Sequence, residues 1–396
     1  MKYKIETERE ELFEVNPMIA MCVKLDHEVR IDEARAAFKC AVKAHEILGS
    51  KVVIEESGEA YYVDCDVPLS FIDDSSLSFE ELICENERHR FLIEKGEYIR
   101  VFLSPSGVVF LMHHIAGDGR SLLFFIETFL SCLSGETPEF VPFSHTTLKD
   151  LPDGGQLPFL YRQFVSSYNR KWIRERRVFG FEDLDKAFTD FWKTHKTSVE
   201  INTLSPEAYE AVLNGAHEAG CSVTYYLTAC RMNGRLSGKV DIGMAIDCRT
   251  DETRSMGNHV GGVNIVFDYD AHKSVGHNAK LLQEKMRERV RSDVARSIAL
   301  RVVGECDPTL IDAMCLSSSD FYDSKLVAKF AEAMAYGTRK RDIGISNLMR
   351  ADIRTSYGNF GVEEIVFVPP VVSYNVVPVG IITVGEKLAI AEHRYV

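Results

Sequence analysis

The sequence predicts an α/β protein built from two similar halves, and three observations carry that prediction. Strand-like and helix-like patterns alternate from the amino terminus, loosen between about Ser134 and Ser198, and then restart in a comparable alternation. The 396 residues are enough for two ordinary domains, each with its own core. A composition of 45% hydrophobic against 27% charged residues is a globular balance.

In chain order, the apolar run 17–25 reads as a strand and 31–42 as an amphipathic helix. Strands follow at 51–55 and 61–63 around the turn Ser57-Gly58. Residues 78–90 read as a second helix with a solvated charged face. A hairpin of 96–103 and 108–113 turns at Pro105-Ser106-Gly107, and the spacing of Leu122, Phe125, Ile126, Phe129 and Leu130 predicts a helix behind it. Pro138, Pro142, Pro152, Gly154, Gly155 and Pro158 then mark a boundary region. Within it, 159–177 carries arginines and aromatic residues in alternation, as in an amphipathic helix. It is expected as a linking helix packed on one side, with contact to a membrane surface or a phosphate-bearing donor as the other reading.

The second half opens with a strand at 197–201, a helix at 206–219 and another from Cys221. A strand follows at 240–246. Leu282, Met286, Val290, Val294 and Ile298 predict one long helix over 280–301.

Charge and cysteine usage limit the function. With 46 Lys and Arg against 59 Asp and Glu, the net charge of -13 argues against nucleic acid or an anionic membrane as the main partner, while leaving room for a local basic pocket. Residues 1–10 have no apolar core of signal-peptide type, and no later run is long enough to span a bilayer. A cytoplasmic protein without a transmembrane segment is the expectation. The 10 cysteines form no CxxC pair and no metal-like spacing with histidine, so reduced thiols and no metal site are expected.

One stretch carries chemistry. Val108 to Met112 is a buried strand in type, and it delivers His113-His114 into Ile115-Ala116-Gly117-Asp118-Gly119, just ahead of the helix. Histidine suits proton transfer near neutrality because its ordinary pKa is about 6.5. It acts as a base only when one ring nitrogen faces the substrate and the other is held by a partner. The plainer reading makes both histidines core residues and Asp118 a helix cap. His45, at a helix end, is expected to be structural.

The arrangement His113-His114, three residues, Asp118-Gly119 resembles the HHxxxDG signature of the condensation and acyltransferase superfamily. That group holds nonribosomal condensation domains, chloramphenicol acetyltransferase, plant BAHD acyltransferases and stand-alone alcohol acetyltransferases. Weaker phrases follow in the same order: Lys43 to Ser50 resembles "RHPILR", 221–230 resembles "gvTlndlLlAAl", and Asp247-Cys248-Arg249 with Ser255 to Asn264 resembles "vdlR...GN..G...n". Ile345 to Leu348 resembles "SNlG", with Met349 where glycine is usual.

The resemblance implies two chloramphenicol-acetyltransferase-like domains in a V-shaped pseudo-dimer with an interdomain tunnel. Residues 1–145 would form one domain with the motif, 146–196 a linker, and 197–396 the second domain. His114 would be the catalytic base, moving an acyl group from acyl-CoA or an acyl-carrier protein directly to a small-molecule hydroxyl acceptor, with no bound cofactor. His113, Asp118 and Gly119 would support it, Gly119 by backbone freedom and an amide for the oxyanion. Arg249, a charge just after an apolar strand, is the expected partner of Asp118. Asn258, Asn264, Ser346 and Asn347 either line the tunnel or only form turns. Amide formation by a stand-alone condensation enzyme, or a non-catalytic relative with the same fold, are the alternatives.

Overall fold

The computed structural model describes residues 2–249, 254–337, 341–373 and 375–396. Among the described residues, two six-stranded sheets and one three-stranded sheet, flanked by helices, give a mixed α/β fold, as expected. The centre of the first large sheet is the strand Gly107–His113, paired antiparallel with Met18–Leu25 on one side and Ile99–Ser104 on the other. Its residues 108–113 are all buried, so the continuous apolar run does reflect a strand covered on both faces. Helices Ile31–Ala44 and Gly119–Leu133 pack together over it. Phe125 and Phe129 of the second helix meet Phe110 of the strand edge-on at 6.2 and 5.2 Å. That aromatic cluster fixes the direction in which the helix leaves the histidine turn.

The two large sheets do not divide the chain at one point. Strand Phe360–Val368 crosses back and pairs antiparallel with Met18–Leu25, with Ile365 opposite Val23. The second sheet runs Val260–Tyr269, Gly238–Asp247, Ile343–Arg350, Pro378–Val384, Lys387–Tyr395, Thr197–Leu204. The 197–396 stretch therefore supplies strands to both sheets.

Several expected elements change on folding. The helix expected over 280–301 is two helices, Val275–Arg291 and Asp293–Glu305. Ser292 breaks it with φ -86° and ψ 114°, and its hydroxyl accepts from the Ala295 N–H at 3.2 Å, capping the second helix. Hydrophobic spacing survives such a one-residue break, which is why periodicity reads through it. The helix expected at 78–90 is shorter, Phe79–Asn86, with a capping box between Ser78 and Glu81. The boundary region holds helix Phe159–Trp172 and a second helix, Phe181–Thr194, whose Leu184, Ala187, Phe188 and Phe191 are buried. Trp172 is fully buried with its indole N–H on Thr309 Oγ1 at 2.8 Å, while Phe159, Leu160 and Ile173 stay exposed. No helix among the described residues is long and apolar enough to cross a membrane.

Candidate active site

The strand ends at His113, and the chain makes a short turn, His114–Ala116, before the helix. His113 is buried, and its Nδ1 accepts from the Ile115 N–H at 3.1 Å, which places any neutral-ring proton on Nε2. Burial pulls its pKa down to about 3, so it stays neutral and braces the turn. The His114 N–H donates to Pro17 O at 2.8 Å, tying the turn to the neighbouring strand. Gly117 then adopts φ 153°. A Cβ there would lie 2.4 Å from Ser121 Cβ, so only glycine fits.

Asp118 caps the helix and bridges the two sheets at once. Its Oδ1 accepts from the Ser121 N–H at 3.0 Å and from Arg249 Nη2 at 2.9 Å, and its Oδ2 accepts from the His259 N–H at 3.0 Å. The helix cap and the contact with Arg249 are thus made by one carboxylate. Burial works against its charge, but Arg249 and the Ser121 N–H outweigh that and hold the carboxyl below the usual range. Arg249 is kept in place by Asp247 Oδ1 at 3.1 Å and Ser121 Oγ at 3.0 Å. Gly119 is not the flexible point expected from the sequence: the positive φ belongs to Gly117, and Gly119 begins the helix. What it provides is room, since a Cβ would lie 3.1 Å from Leu348 and 3.2 Å from Phe367.

His114 keeps 15% of its side chain exposed, on a cavity of about 220 Å³. Ile19 and Phe367 of the first sheet and Met244, Asn264 and Ser346 of the second share its wall. Burial lowers the His114 pKa, while the Asp118 charge and a hydrogen bond to its own backbone act in the opposite sense. Asn258 Nδ2 stands 3.4 Å from His114 Nδ1 and Glu11 Oε1 stands 3.6 Å from the same nitrogen.

Of the residues singled out in the sequence, His114, Gly119, Asn258, Asn264 and Ser346 reach the cavity wall. Asn347 does not: its Nδ2 donates to Thr224 Oγ1 at 2.9 Å and its Oδ1 accepts from the Met349 N–H at 2.7 Å. His113, Asp118 and Arg249 stand behind the wall. His45 is buried with Nε2 3.0 Å from Thr128 Oγ1, a structural position. Sequence reading passed over Thr7, Glu10 and Glu11, which also line the cavity. The acidic run from Glu8 to Glu14 was visible, but nothing local says that such a run is buried. Among the described residues no group of three or more histidine, cysteine or acidic side chains is arranged to hold a metal.

No protein-family model and no curated protein matches the chain. Solved structures do. The trichothecene 15-O-acetyltransferase of Fusarium sporotrichioides superposes with a TM-score of 0.63 at 11% identity, covering 99% of this chain and 91% of its own. The first condensation domain of the CDA synthetase gives 0.61 at 12% identity, over 98% and 87% of the two chains. The starter condensation domain of rhizomide synthetase, solved with C8-CoA and Leu-SNAC, gives 0.61 at 11% identity, over 99% and 88%. The V-shaped, two-lobed architecture implied by the motif agrees with these folds.

Proposed function

Starting from the fold of condensation domains and chloramphenicol-acetyltransferase-like acyltransferases, we propose that this protein is an acyltransferase. It moves an acyl group from a thioester, acyl-CoA or acyl-phosphopantetheine on a carrier, directly to a hydroxyl acceptor. The observation that carries the reading is the His114 ring on a cavity walled by both sheets, behind which Asp118 and Arg249 lock the turn. Substrates entering a shared cavity meet at one base, and a buried ion pair keeps that base aimed.

In the step itself, one ring nitrogen of His114 takes the hydroxyl proton as the oxygen attacks the thioester carbonyl. The tetrahedral oxyanion is met by a backbone N–H, for which Gly119 on the cavity wall is the candidate. The intermediate collapses, the C–S bond breaks, and the imidazolium returns its proton to the leaving thiolate. No covalent acyl-enzyme forms, so no nucleophilic serine or cysteine is required. Asn258, Asn264 and Ser346 serve as polar contacts for the substrates. Amide formation with an amine acceptor is the second reading: Glu10 and Glu11 line the same wall and offer hydrogen-bond acceptors to an amine N–H.

A screen of acyl-CoA donors of increasing length tests this, read by thiol release with and without alcohol and amine acceptors. Replacing His114 by alanine should cost about 10²–10⁴-fold, the usual worth of a positioned base. Unchanged turnover in His114→Ala would remove the mechanism.

A further inference from the structure

The acyl-transfer scheme makes no use of helix Phe159–Trp172, although the molecule holds it firmly. Val165 and Trp172 are buried, and Phe164 stacks on Phe330 of helix Lys325–Ala333 with ring centroids 5.8 Å apart. Asn169 Nδ2 donates to Glu305 O at 3.1 Å. The helix is a packed element, so the side it turns to solvent is presented in a fixed orientation.

That outer side is apolar and basic together. At about 3.6 residues per turn, Phe159, Gln163, Ser166, Arg170 and Ile173 lie opposite Val165 and Trp172, with Leu160 and Arg162 at the margins. Phe159, Leu160 and Ile173 are 63%, 77% and 69% exposed. Single exposed apolar residues are ordinary, but these three share one face of one helix, two at its start and one about 21 Å along it.

Charge sets the same face apart. In a chain of net charge -13, residues 158–178 hold Arg162, Arg170, Lys171, Arg174, Arg176 and Arg177 against a single acid, Glu175. Glu175 is engaged by the Ser324 hydroxyl, which donates to its Oε2 at 2.6 Å. Arg176 and Arg177 are engaged too, on Asp307 Oδ2 at 3.0 Å and Asp183 Oδ1 at 2.6 Å. Arg162, Arg170, Lys171 and Arg174 are exposed, and among the described residues none of them has an acidic partner.

We propose that this face docks the protein onto an anionic phospholipid membrane. The helix lies in the plane of the interface, Phe159, Leu160 and Ile173 enter the boundary between headgroups and acyl chains, and the four unpaired cations meet lipid phosphates. A dissolved phosphate compound would engage the arginines and leave the apolar side chains in water; a bilayer boundary takes both kinds of group along one plane. The acidic remainder of the chain is repelled by the same surface, which turns this face toward it.

The inference goes beyond the acyl-transfer reading and does not depend on it, and its test needs no substrate. The full chain is floated with vesicles of phosphatidylcholine alone and of phosphatidylcholine mixed with phosphatidylserine. Binding should require phosphatidylserine and weaken at least about tenfold in about 1 M salt, where charges are screened within about 3 Å. Arg170→Gln with Arg174→Gln should weaken it at least about tenfold, each basic residue near an anionic surface contributing about fivefold. Phe159→Ser with Leu160→Ser should weaken it as much at low salt. These side chains are exposed, so both double variants should melt like the wild type. Phe159→Trp supplies a reading without loss of apolar surface: because Trp172 and Trp192 are buried, a blue shift of emission on phosphatidylserine vesicles reports the new side chain. No flotation with phosphatidylserine vesicles, flotation that survives either double variant, or an unshifted Phe159→Trp emission overturns the proposal. An acidic protein as the true occupant of the face would give the first of these results.

Discussion

Arg249 Nη2 stands 2.9 Å from Asp118 Oδ1, across 131 residues of sequence, and both side chains are almost wholly buried. Removing one partner strands the other's charge, so Asp118→Asn or Arg249→Met alone should each cost about 3–5 kcal/mol, and the double variant less than their sum. Denaturant melts of the four proteins check this. Additive losses would mean that the pair is not coupled. Because the Asp118 carboxyl is held below its unfolded value of about 3.9, its contribution is present above that pH and fades as the pH falls through the folded value. Asp118→Asn should lose that part of the acid sensitivity.

Burial lowers the His114 pKa, so the ring is the free base across neutrality. The acid limb of kcat/KM for acyl transfer should therefore fall below pH of about 6.5, the ordinary histidine value. A limb at or above that value would contradict the environment described for the ring.

Gly257 takes φ 156°, and a Cβ there would lie 1.9 Å from Ser144 O. Its neighbours are the Ser121 hydroxyl, which donates to Gly257 O at 2.8 Å, and Asn258 beside His114. Gly257→Ala should destabilise the fold by at least about 1–3 kcal/mol and lower acyl transfer, because backbone rather than a mobile side chain stands in the way. A variant that melts like the wild type with full activity would show that this loop can give way.

Met349 adopts φ 62° and is 57% exposed, so it carries a left-handed backbone with little packing in return. Met349→Gly should raise stability by about 0.5–1 kcal/mol, the relief of αL strain outweighing the added freedom of the unfolded chain. A lower melting temperature would contradict it. The position is the one where the SNlG-like phrase ordinarily has glycine, and the backbone angle supplies the reason glycine suits it.

Much of the local structure was legible because it depends on neighbours in sequence. The apolar run 108–112 marked a central strand, the spacing after Leu122 marked the helix behind the histidines, and the helix expected at 206–219 is found as Pro206–Ala219. Helix Phe181–Thr194 is equally periodic, but it follows a proline- and glycine-rich stretch whose local pattern is that of a boundary. The Ser292 break hides inside an unbroken hydrophobic spacing.

By itself the sequence determined that His113 and His114 end a buried strand, that Asp118 opens a helix, and that Arg249 needs an acid. These follow from backbone propensity and from the cost of an unpaired charge, which are properties of short stretches. Tertiary structure decided the rest: that Phe360–Val368 joins the first sheet, that Asn347 turns away from the cavity while Asn258 faces His114, and that Glu11 is buried against the same ring. Each of those depends on contacts between residues far apart in the chain, where burial, not residue type, sets whether a polar group is solvated or part of the site.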